Sequence, residues 1–329
     1  MVPRINARPY ATFFMLFKGV FILQLRNLYL HFRKKEKNYK NFKFRIPTFR
    51  GKERMEKVMD NIIDVKGLKR SFKTSKNGEF EAIKGIEFSV KEGEIFGLLG
   101  PNGAGKTTTI KILTTMLAPS EGSVKVLGFD TFHEAKKVRE HINFVFGGER
   151  SLYWRLSARD NLAYFADLYK IPRKAQNELI ENLIKRVGLS EFIDKKVETF
   201  SKGMKQRLQI ARSLLNNPKI IFLDEPSIGL DPIGAKELRE LIKELSKDGV
   251  TILLTTHYMP EAEELCNRIA IIKKGELLAL DDVVGLQNLV SYERKEEIKK
   301  KKIREQEERN KQNLEIALED IYIELLGEK

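Results

Sequence analysis

A glycine-rich stretch near the first third of the chain has the residue types and spacing needed to hold phosphate groups. It comprises Gly100, Pro101, Asn102, Gly103, Ala104, Gly105, Lys106, Thr107 and Thr108. The stretch lies between a short apolar run and a helical pattern, which is the context of a phosphate loop. Glycines let successive N–H groups point at phosphate oxygens, and the positive end of the following helix attracts the same anion. Because Lys106 can reach the β- and γ-phosphates and the Thr107 hydroxyl can bind Mg²⁺, the stretch predicts a nucleoside triphosphate site.

Two carboxylates follow another apolar run, residues 220–223. Asp224 is suited to hold a magnesium ion, directly or through water, because Mg²⁺ prefers oxygen ligands. Glu225 is the next residue, and on an extended chain its side chain points the other way. We therefore predict Thr107 and Asp224 as metal ligands, and Glu225 as the residue that orients or deprotonates an attacking water.

Further motifs occur in an order and at spacings typical of one family. Ser201 and Gly203 lie in the run Phe-Ser-Lys-Gly-Met-Lys-Gln-Arg, which resembles the signature motif of ATP-binding cassette proteins. The run has Lys and Met at two positions where the common form, Leu-Ser-Gly-Gly-Gln, has Gly and Gln. Asp231 ends the run Ser-Ile-Gly-Leu-Asp, which is similar to the family's dimer-communicating loop. His257 is similar to the family's switch histidine.

The resemblance covers roughly residues 62–280 and implies the fold class and the activity. The implied fold is α/β: a P-loop NTPase core with a mixed sheet, flanking helices and an antiparallel β part, plus an all-helical subdomain. The implied activity is ATP hydrolysis with ATP and Mg²⁺, in which Glu225, His257 and Lys106 take part. Ser201 and Gly203 would cap the nucleotide bound to a second copy of the chain, in a head-to-tail ATP-sandwich dimer.

The resemblance also implies partners and a location. The expected partners are an integral membrane permease and the second copy, with no nucleic acid. The expected location is the cytoplasmic face of the cell membrane, where the chain would be peripheral. Residues 149–162, the Ser-Lys-Gly-Met-Lys-Gln form of the signature and residues 318–326 resemble cassettes of the drug, antibiotic and sodium export type. They predict an exporter with a separate permease, and they say nothing of its substrate.

The alternative function is a soluble cassette ATPase that acts on nucleic acid or on the ribosome. Cassettes of DNA repair and chromosome structure carry long coiled coils between the phosphate loop and the signature. Here Lys106 and Ser201 are 95 residues apart, which leaves room only for a compact helical insertion. We therefore favour transport.

Three parts of the site leave alternatives open. Phe72 lies near the position of the family's adenine-stacking aromatic and keeps the π-face without the hydroxyl of the usual Tyr, but a core or loop role is the alternative. Tyr153 and Trp154 are either core aromatics of the helical subdomain or contacts for a partner. The glutamine usual after residues 142–146 is missing, and in the run Gly-Gly-Glu-Arg that replaces it Glu149 is given no role.

Alternating apolar runs and helical patterns must position these residues. Strands are predicted at residues 62–65, 86–90, 95–99, 124–127, 142–146, 220–223, 252–255 and 269–272. Helices are predicted at 106–116, 158–169, 174–187, 202–215 and 234–247. Ser157 and Asp160 resemble a capping box at a helix start. The predominance of helices predicts an all-helical subdomain at about residues 151–215.

The net charge of +14 is concentrated near the N-terminus. The first 60 residues carry 15 Lys and Arg against four Asp and Glu. The charge therefore belongs to an extension, residues 1–58, and the predicted ATPase domain at 59–285 is nearly neutral, which argues against a DNA-binding face. Residues 286–329 are predicted to form a charged helical tail.

The function of the extension stays open among three interpretations. Residues 10–30 are long enough to cross a bilayer, but Lys18 and Arg26 interrupt them. The segment is a membrane-associated or membrane-inserted helix, a start assigned too early ahead of Met59, or a solvated arm. The single cysteine, Cys266, excludes an internal disulfide and indicates a reducing compartment, and with four histidines it leaves no zinc site.

Overall fold

The computed structural model describes residues 61–73, 78–147 and 152–289. The strands are β1 (Ile63–Lys73), β2 (Glu79–Val90), β3 (Ile95–Leu99), β4 (Glu121–Val126), β5 (Phe129–Asp130), β6 (Ile142–Phe146), β7 (Ile220–Asp224), β8 (Thr251–Thr256), β9 (Arg268–Lys273) and β10 (Glu276–Asp281). The helices are α1 (Lys106–Leu113), α2 (Ala135–His141), α3 (Ala158–Leu168), α4 (Arg173–Arg186), α5 (Lys202–Ser213), α6 (Pro232–Lys247), α7 (Met259–Leu265) and α8 (Val283–Asn288). Two short 3₁₀ turns occur at Ser190–Phe192 and Val197–Thr199.

The predicted extension, residues 1–58, lies outside the described residues, as does the part of the predicted tail (286–329) from residue 290 onward. Within the described part of the chain, none of the helices combines the length and the apolar character that crossing a bilayer requires.

A six-stranded sheet forms the centre of the fold, with strand order β10-β9-β3-β8-β7-β6. Strands β9, β3, β8, β7 and β6 pair in parallel, and β10 is antiparallel to β9. Every residue of β7 and β8 is buried, which explains the apolar runs at 220–223 and 252–254. Because the strands are parallel, their carboxyl ends meet at one edge of the sheet, where open α/β sheets bind ligands.

A second, antiparallel sheet has the strand order β2-β1-β4-β5 and shares one hydrophobic core with the first. The Phe88 ring of β2 stacks on the Phe96 ring of β3, with centroids 5.2 Å apart. The backbone N–H of Lys84 donates to the carbonyl oxygen of Gly275 in the turn between β9 and β10, at 2.8 Å. The mixed sheet, the antiparallel part and the helices confirm the predicted fold class.

Three helices, α3 to α5, lie within the range of the predicted helical subdomain. Helix α3 begins after the predicted cap residue Ser157: the Asp160 N–H donates to Ser157 Oγ at 3.0 Å, and that hydroxyl donates to Asp160 Oδ2 at 2.7 Å. Asn143 of β6 donates from Nδ2 to the hydroxyl of Tyr169 at 2.9 Å and to Asn216 Oδ1 at 2.8 Å. These bonds link the helical part to the edge of the six-stranded sheet.

The first two strands are longer than predicted, and five elements, β5, β10, α2, α7 and α8, lie wholly or partly outside the predicted elements. Strand β1 continues to Lys73 and β2 begins at Glu79, because antiparallel pairing extends them over largely exposed residues that carry little apolar signal. Strands β5 and β10 and helices α2 and α7 are short, and in β10 exposed and half-buried residues alternate without a buried position. Such elements form through pairing and packing with distant parts of the chain.

Cys266 is buried where α7 connects to β9, and it packs against Gly97, where a Cβ would lie only 2.7 Å from the Cys266 Sγ. Burial, with the carboxylates of Glu261 and Glu94 adding to it, raises the pKa of the Cys266 thiol to about 12. A raised pKa keeps the thiol protonated at neutral pH, and the thiolate is the reactive form. We expect Ellman's reagent at about pH 8 to label the folded chain at least about a hundredfold more slowly than the chain unfolded in guanidinium. Equal rates would mean that this thiol is accessible in the native fold.

Candidate functional site

The glycine-rich loop connects the end of β3 to the start of α1, at the carboxyl edge of the six-stranded sheet. At Gly105 φ is +106°, and a Cβ there would lie 2.7 Å from the carbonyl oxygen of Ala82, so glycine is required. At Gly100 a Cβ would collide with the carbonyl oxygen of Ile272. The Gly100 N–H donates to the carbonyl oxygen of Thr256 at 3.2 Å, which ties the loop to the end of β8.

The tip of this loop is open to solvent, and its base is packed. The exposed residues are Pro101, Asn102 and Gly103, and Ala104 is buried beneath them. In the first turn of α1, Thr107 is exposed and Thr108 is half-buried. The backbone at the tip is therefore accessible to an anion, as the sequence predicts.

Lys106 begins α1 with a buried side chain, of which 4% is exposed. Its Nζ donates to the carbonyl oxygens of Gly100, at 2.7 Å, and Pro101, at 3.2 Å. The same nitrogen lies 3.3 Å from Glu225 Oε1. The ammonium is thus held at the mouth of the loop by three oxygen atoms.

Thr107 and Asp224 are in direct contact. The Thr107 hydroxyl lies 2.9 Å from Asp224 Oδ2 and donates to that carboxylate, of which Oδ1 also accepts from the Thr255 hydroxyl at 2.5 Å. Asp224 ends β7 and is 8% exposed. A hydroxyl and a carboxylate are oxygen donors of the kind Mg²⁺ takes, together with phosphate oxygens and water. The donor set present therefore fits the predicted metal.

The Glu225 carboxylate lies between the Lys106 ammonium and the His257 imidazole. Besides the contact with Lys106, its Oε1 is 3.2 Å from His257 Nδ1. Its backbone has φ of +49°, and its N–H donates to the carbonyl oxygen of Thr255 at 3.0 Å and to the Thr255 hydroxyl at 3.1 Å. The left-handed backbone turns the chain sharply after Asp224. The Asp224 carboxylate therefore contacts the Thr107 and Thr255 hydroxyls, whereas the Glu225 carboxylate faces Lys106 and His257.

The structure therefore brings together five of the predicted residues from the ends of three parallel strands. Lys106 and Thr107 follow β3, Asp224 and Glu225 are at the end of β7, and His257 follows β8. An ammonium, a hydroxyl–carboxylate pair and a second carboxylate beside an imidazole can hold a triphosphate and act on a water near its terminal phosphorus.

Three further predicted residues, Ser201, Gly203 and Asp231, form a second cluster at the N-termini of α5 and α6. Ser201 caps α5, and its Oγ accepts from the Met204 N–H at 3.2 Å. Asp231 caps α6, and its Oδ1 accepts from the Gly234 N–H at 2.8 Å. A Cβ on Gly203 would lie 3.8 Å from the Cα of Gly234, so the two helix starts pack closely through their glycines. Two positive helix ends therefore lie side by side.

Phe72 lies on β1 with 36% of its surface exposed. The guanidinium carbon of Arg70 is 4.6 Å from the centroid of its ring, and its Cα partner across the sheet is Phe80. The core role considered for Phe72 is therefore wrong, because its ring is on the surface.

The loop after β6 is described only at its beginning. Gly147 approaches the site closely, since a Cβ there would lie 3.0 Å from the carbonyl oxygen of Asp224. Glu149 lies outside the described residues. Beyond the gap, Tyr153 and Trp154 are 43% and 47% exposed, so neither is a core aromatic.

Sequence reasoning missed Thr255 and the cleft beside Glu225 and His257. The Thr255 hydroxyl contacts both Asp224 and the Glu225 N–H, and the sequence hints at this role only through the polar end of an apolar strand. The cleft has a volume of about 440 Å³ and is lined in part by Glu225, His257 and Glu264. The cleft lies between the loop before α6 and the start of α7. Because these segments are distant in sequence, no local motif predicts the cleft.

Comparison with known protein families agrees with this geometry. The model of the protein family "ABC transporter" matches residues 83–228 of this chain. The chain is 39% identical over 218 residues to the ABC transporter ATP-binding protein NatA of Bacillus subtilis (strain 168), covering 66% of this chain and 87% of that protein. It is 40% identical over 220 residues to the probable multidrug ABC transporter ATP-binding protein YbhF of Escherichia coli (strain K12), covering 67% of this chain and 37% of that longer protein.

Solved structures give the same result. The ATP-binding cassette MJ0796, as a dimer in a post-hydrolysis state bound to ADP and Pi, is 28% identical, with a TM-score of 0.61, and the match covers 67% of this chain and 98% of that one. The cbiO1 protein of Clostridium perfringens, part of the ABC transporter complex cbiONQ, is 30% identical, with a TM-score of 0.64, and the match covers 70% of this chain and 92% of that one. With a phosphate loop, two carboxylates and a histidine gathered at one sheet edge, the chain belongs to the ABC transporter family and is an ATP-binding, ATP-hydrolysing cassette protein.

Proposed function

We propose that this chain powers export of a substrate through a separate integral membrane permease, at the cytoplasmic face of the cell membrane. The observation that carries the proposal is the meeting of Lys106, Thr107, Asp224, Glu225 and His257 at the carboxyl ends of three parallel strands. The similarity to a protein named for multidrug transport supports transport over the nucleic-acid or ribosome alternative. The nearly neutral composition after residue 60 supports the same choice.

The roles of the residues follow from their contacts. The backbone amides of residues 100–108 would surround the phosphates, and Lys106 would exchange its carbonyl partners for phosphate oxygens. Thr107 and Asp224 would hold Mg²⁺, which when bound neutralises negative charge on the phosphates. Glu225 would orient and deprotonate the attacking water, and His257, 3.2 Å from it, would hold that carboxylate in place.

A second copy of the chain completes the site in this proposal. Ser201 and Gly203 stand at the start of α5, packed beside the start of α6, which Asp231 caps. Two adjacent positive helix ends suit a γ-phosphate. A two-fold, head-to-tail pair would place them over the partner's nucleotide. The similarity to a dimeric cassette supports this arrangement.

The membrane partner would bind the helical part of the chain. Tyr153, Trp154 and Leu156 are exposed before α3, and aromatic side chains are enriched at protein interfaces. The Lys205 ammonium lies 4.9 Å from the centroid of the Trp154 ring, which orients that ring at the surface. The similarity to a cassette from a transporter complex supports a membrane partner.

The test is purification of the full-length chain from membranes of the cells that make it. We expect an integral membrane protein to co-purify, and a Trp154→Ala, Tyr153→Ala chain to lose it while ATP hydrolysis remains within about threefold of wild type. Co-purification of ribosomes or of nucleic acid in place of a membrane protein would support the alternative function. Recovery of the chain without a membrane protein, in the presence and absence of ATP, would contradict the proposal.

A further inference from the structure

Side chains hold the outer edge of the six-stranded sheet. Strand β6 is the last strand in the order of that sheet, so one row of its backbone groups faces no other described strand. The Ile142 carbonyl oxygen accepts from Asn216 Nδ2 at 3.1 Å, and the Phe144 carbonyl oxygen accepts from Arg212 Nη2 at 3.1 Å. The Phe144 N–H donates to Asn143 Oδ1 at 2.9 Å. Side chains therefore bond this edge in place of a further strand.

Arg212 of α5 is a buried cation, with 9% of its surface exposed. Its guanidinium carbon lies 4.9 Å from the centroid of the Phe165 ring, which belongs to α3. Among the residues that the structure describes, no carboxylate pairs with this guanidinium, and its Nε has no hydrogen-bond partner. Burial accordingly lowers the pKa of Arg212. Because a buried charge is costly unless other groups compensate for it, the Phe165 ring and the Phe144 carbonyl oxygen matter to this cation.

The carboxyl end of β6 adjoins the candidate metal site. Phe146, two residues after Phe144, is the Cα partner of Asp224 in the parallel pairing of β6 with β7. A Cβ on the next residue, Gly147, would lie 3.0 Å from the Asp224 carbonyl oxygen. The Asp224 carboxylate in turn contacts the Thr107 hydroxyl. A shift of β6 at Phe144 would therefore move the main chain that packs against Asp224.

We propose that Arg212 is a positioning residue for ATP hydrolysis, which bridges α3 and the outer edge of β6 and so fixes the metal-binding end of β7. The inference rests on the proposed role of Asp224 as a ligand of Mg²⁺. If α3 moved away from β6, the buried cation would lose either its ring or its carbonyl contact, and both are strong away from water. The Tyr153 ring packs on the same Phe165 ring, with centroids 6.2 Å apart, and is exposed on its other side. The bridge therefore extends from the metal site to the surface proposed to bind the membrane partner.

The test measures how much Mg²⁺ strengthens nucleotide binding. A non-hydrolysable ATP analogue is titrated into the full-length chain in a calorimeter, once with Mg²⁺ and once with EDTA. Arg212→Met should lower the ratio of the two affinities about tenfold and leave the affinity in EDTA within about twofold of wild type. Arg212→Lys keeps a cation that can contact the ring and the carbonyl oxygen, so its ratio should stay within about threefold of wild type. Because an apolar residue in place of a buried charge is often neutral for stability, Arg212→Met should unfold at a temperature close to that of wild type.

Asn216→Ala is the matched control, because it removes a side-chain bond to the same edge at Ile142, where β6 pairs with the start of β7. It should leave the affinity ratio unchanged. A wild-type ratio in Arg212→Met, an equal fall in Asn216→Ala, or an equal loss of affinity with Mg²⁺ and with EDTA would overturn the role of Arg212. Asp224→Asn should lower the ratio at least as much as Arg212→Met. If Asp224→Asn kept the wild-type ratio, the metal site itself would fail, so the two failures are distinguishable.

Discussion

Glu225→Gln is expected to lower ATP hydrolysis at least about a hundredfold while ATP binding survives. The carboxamide keeps the shape of the side chain, but it has no charge and does not accept a proton from water. In the structure Glu225 Oε1 is 3.3 Å from the Lys106 ammonium and 3.2 Å from His257 Nδ1, at the mouth of the phosphate loop. A base at this place would face the end of the triphosphate in the proposed complex.

Nucleotide affinity should not fall in this variant, for an electrostatic reason. The Glu225 carboxylate and a triphosphate are both negative, and both attract the Lys106 ammonium. Removing the carboxylate charge frees that ammonium for phosphate and removes a repulsion. ATP should therefore bind as tightly as to wild type or more tightly, and the proposed pair of copies should persist because its nucleotide is not consumed. Phosphate release and size-exclusion chromatography with ATP and Mg²⁺ measure these two effects.

Glu264→Gln provides the matched control for this variant. Glu264 lines the same 440 Å³ cleft as Glu225. Its carboxylate, however, pairs with Arg239 Nε at 2.6 Å and with Lys243 Nζ at 2.7 Å, on the α6–α7 surface. Exposed ion pairs contribute little to stability. The Glu264→Gln variant should therefore hydrolyse ATP at a rate within about twofold of wild type. A wild-type rate in Glu225→Gln would remove Glu225 from the chemistry.

The candidate residues Lys106, Thr107, Asp224 and Glu225 could be identified from the sequence because local sequence motifs specify their residue types. Gly100 and Gly105 are required where the backbone approaches Ile272 and Ala82, and a loop of such glycines before Lys-Thr has few other uses. Asp224 could be predicted because it directly follows four apolar residues, 220–223, which form the buried strand β7. Each of these signals is contained in fewer than about ten residues of sequence.

Thr255 could not be predicted in the same way. Its hydroxyl bridges the Asp224 carboxylate and the Glu225 N–H only because β8 pairs with β7 in one register, in which Asp224 is the partner of Thr255. A sequence window does not contain that register. The Gly203–Gly234 approach and the Phe72–Phe80 pair likewise depend on how distant elements pack or pair. The short strand β10 was missed for the same reason, since β9 supplies its only pairing among the described strands.

Lys106→Ala is expected to affect the earlier step, which is binding. The Lys106 ammonium is the buried cation at the loop, and its present partners are the carbonyl oxygens of Gly100 and Pro101 and the Glu225 carboxylate. A hydrogen bond to a charged group contributes about 1.5–3 kcal/mol, so its loss should weaken ATP binding about 10- to 100-fold. Hydrolysis should fall further, because charge that develops on the transferred phosphoryl group loses the same cation.

Lys111→Ala controls for the loss of a lysine from α1, since Lys111 lies in the last turn of the same helix with an exposed side chain. Calorimetric titration with ATP and a phosphate-release assay should find it equivalent to wild type. The two catalytic variants then separate the steps: Lys106→Ala loses binding, and Glu225→Gln keeps binding and loses turnover. If Lys106→Ala bound and hydrolysed ATP normally, the glycine-rich loop would not be the phosphate site, and the grouping of Thr107, Asp224 and His257 around it would need another explanation.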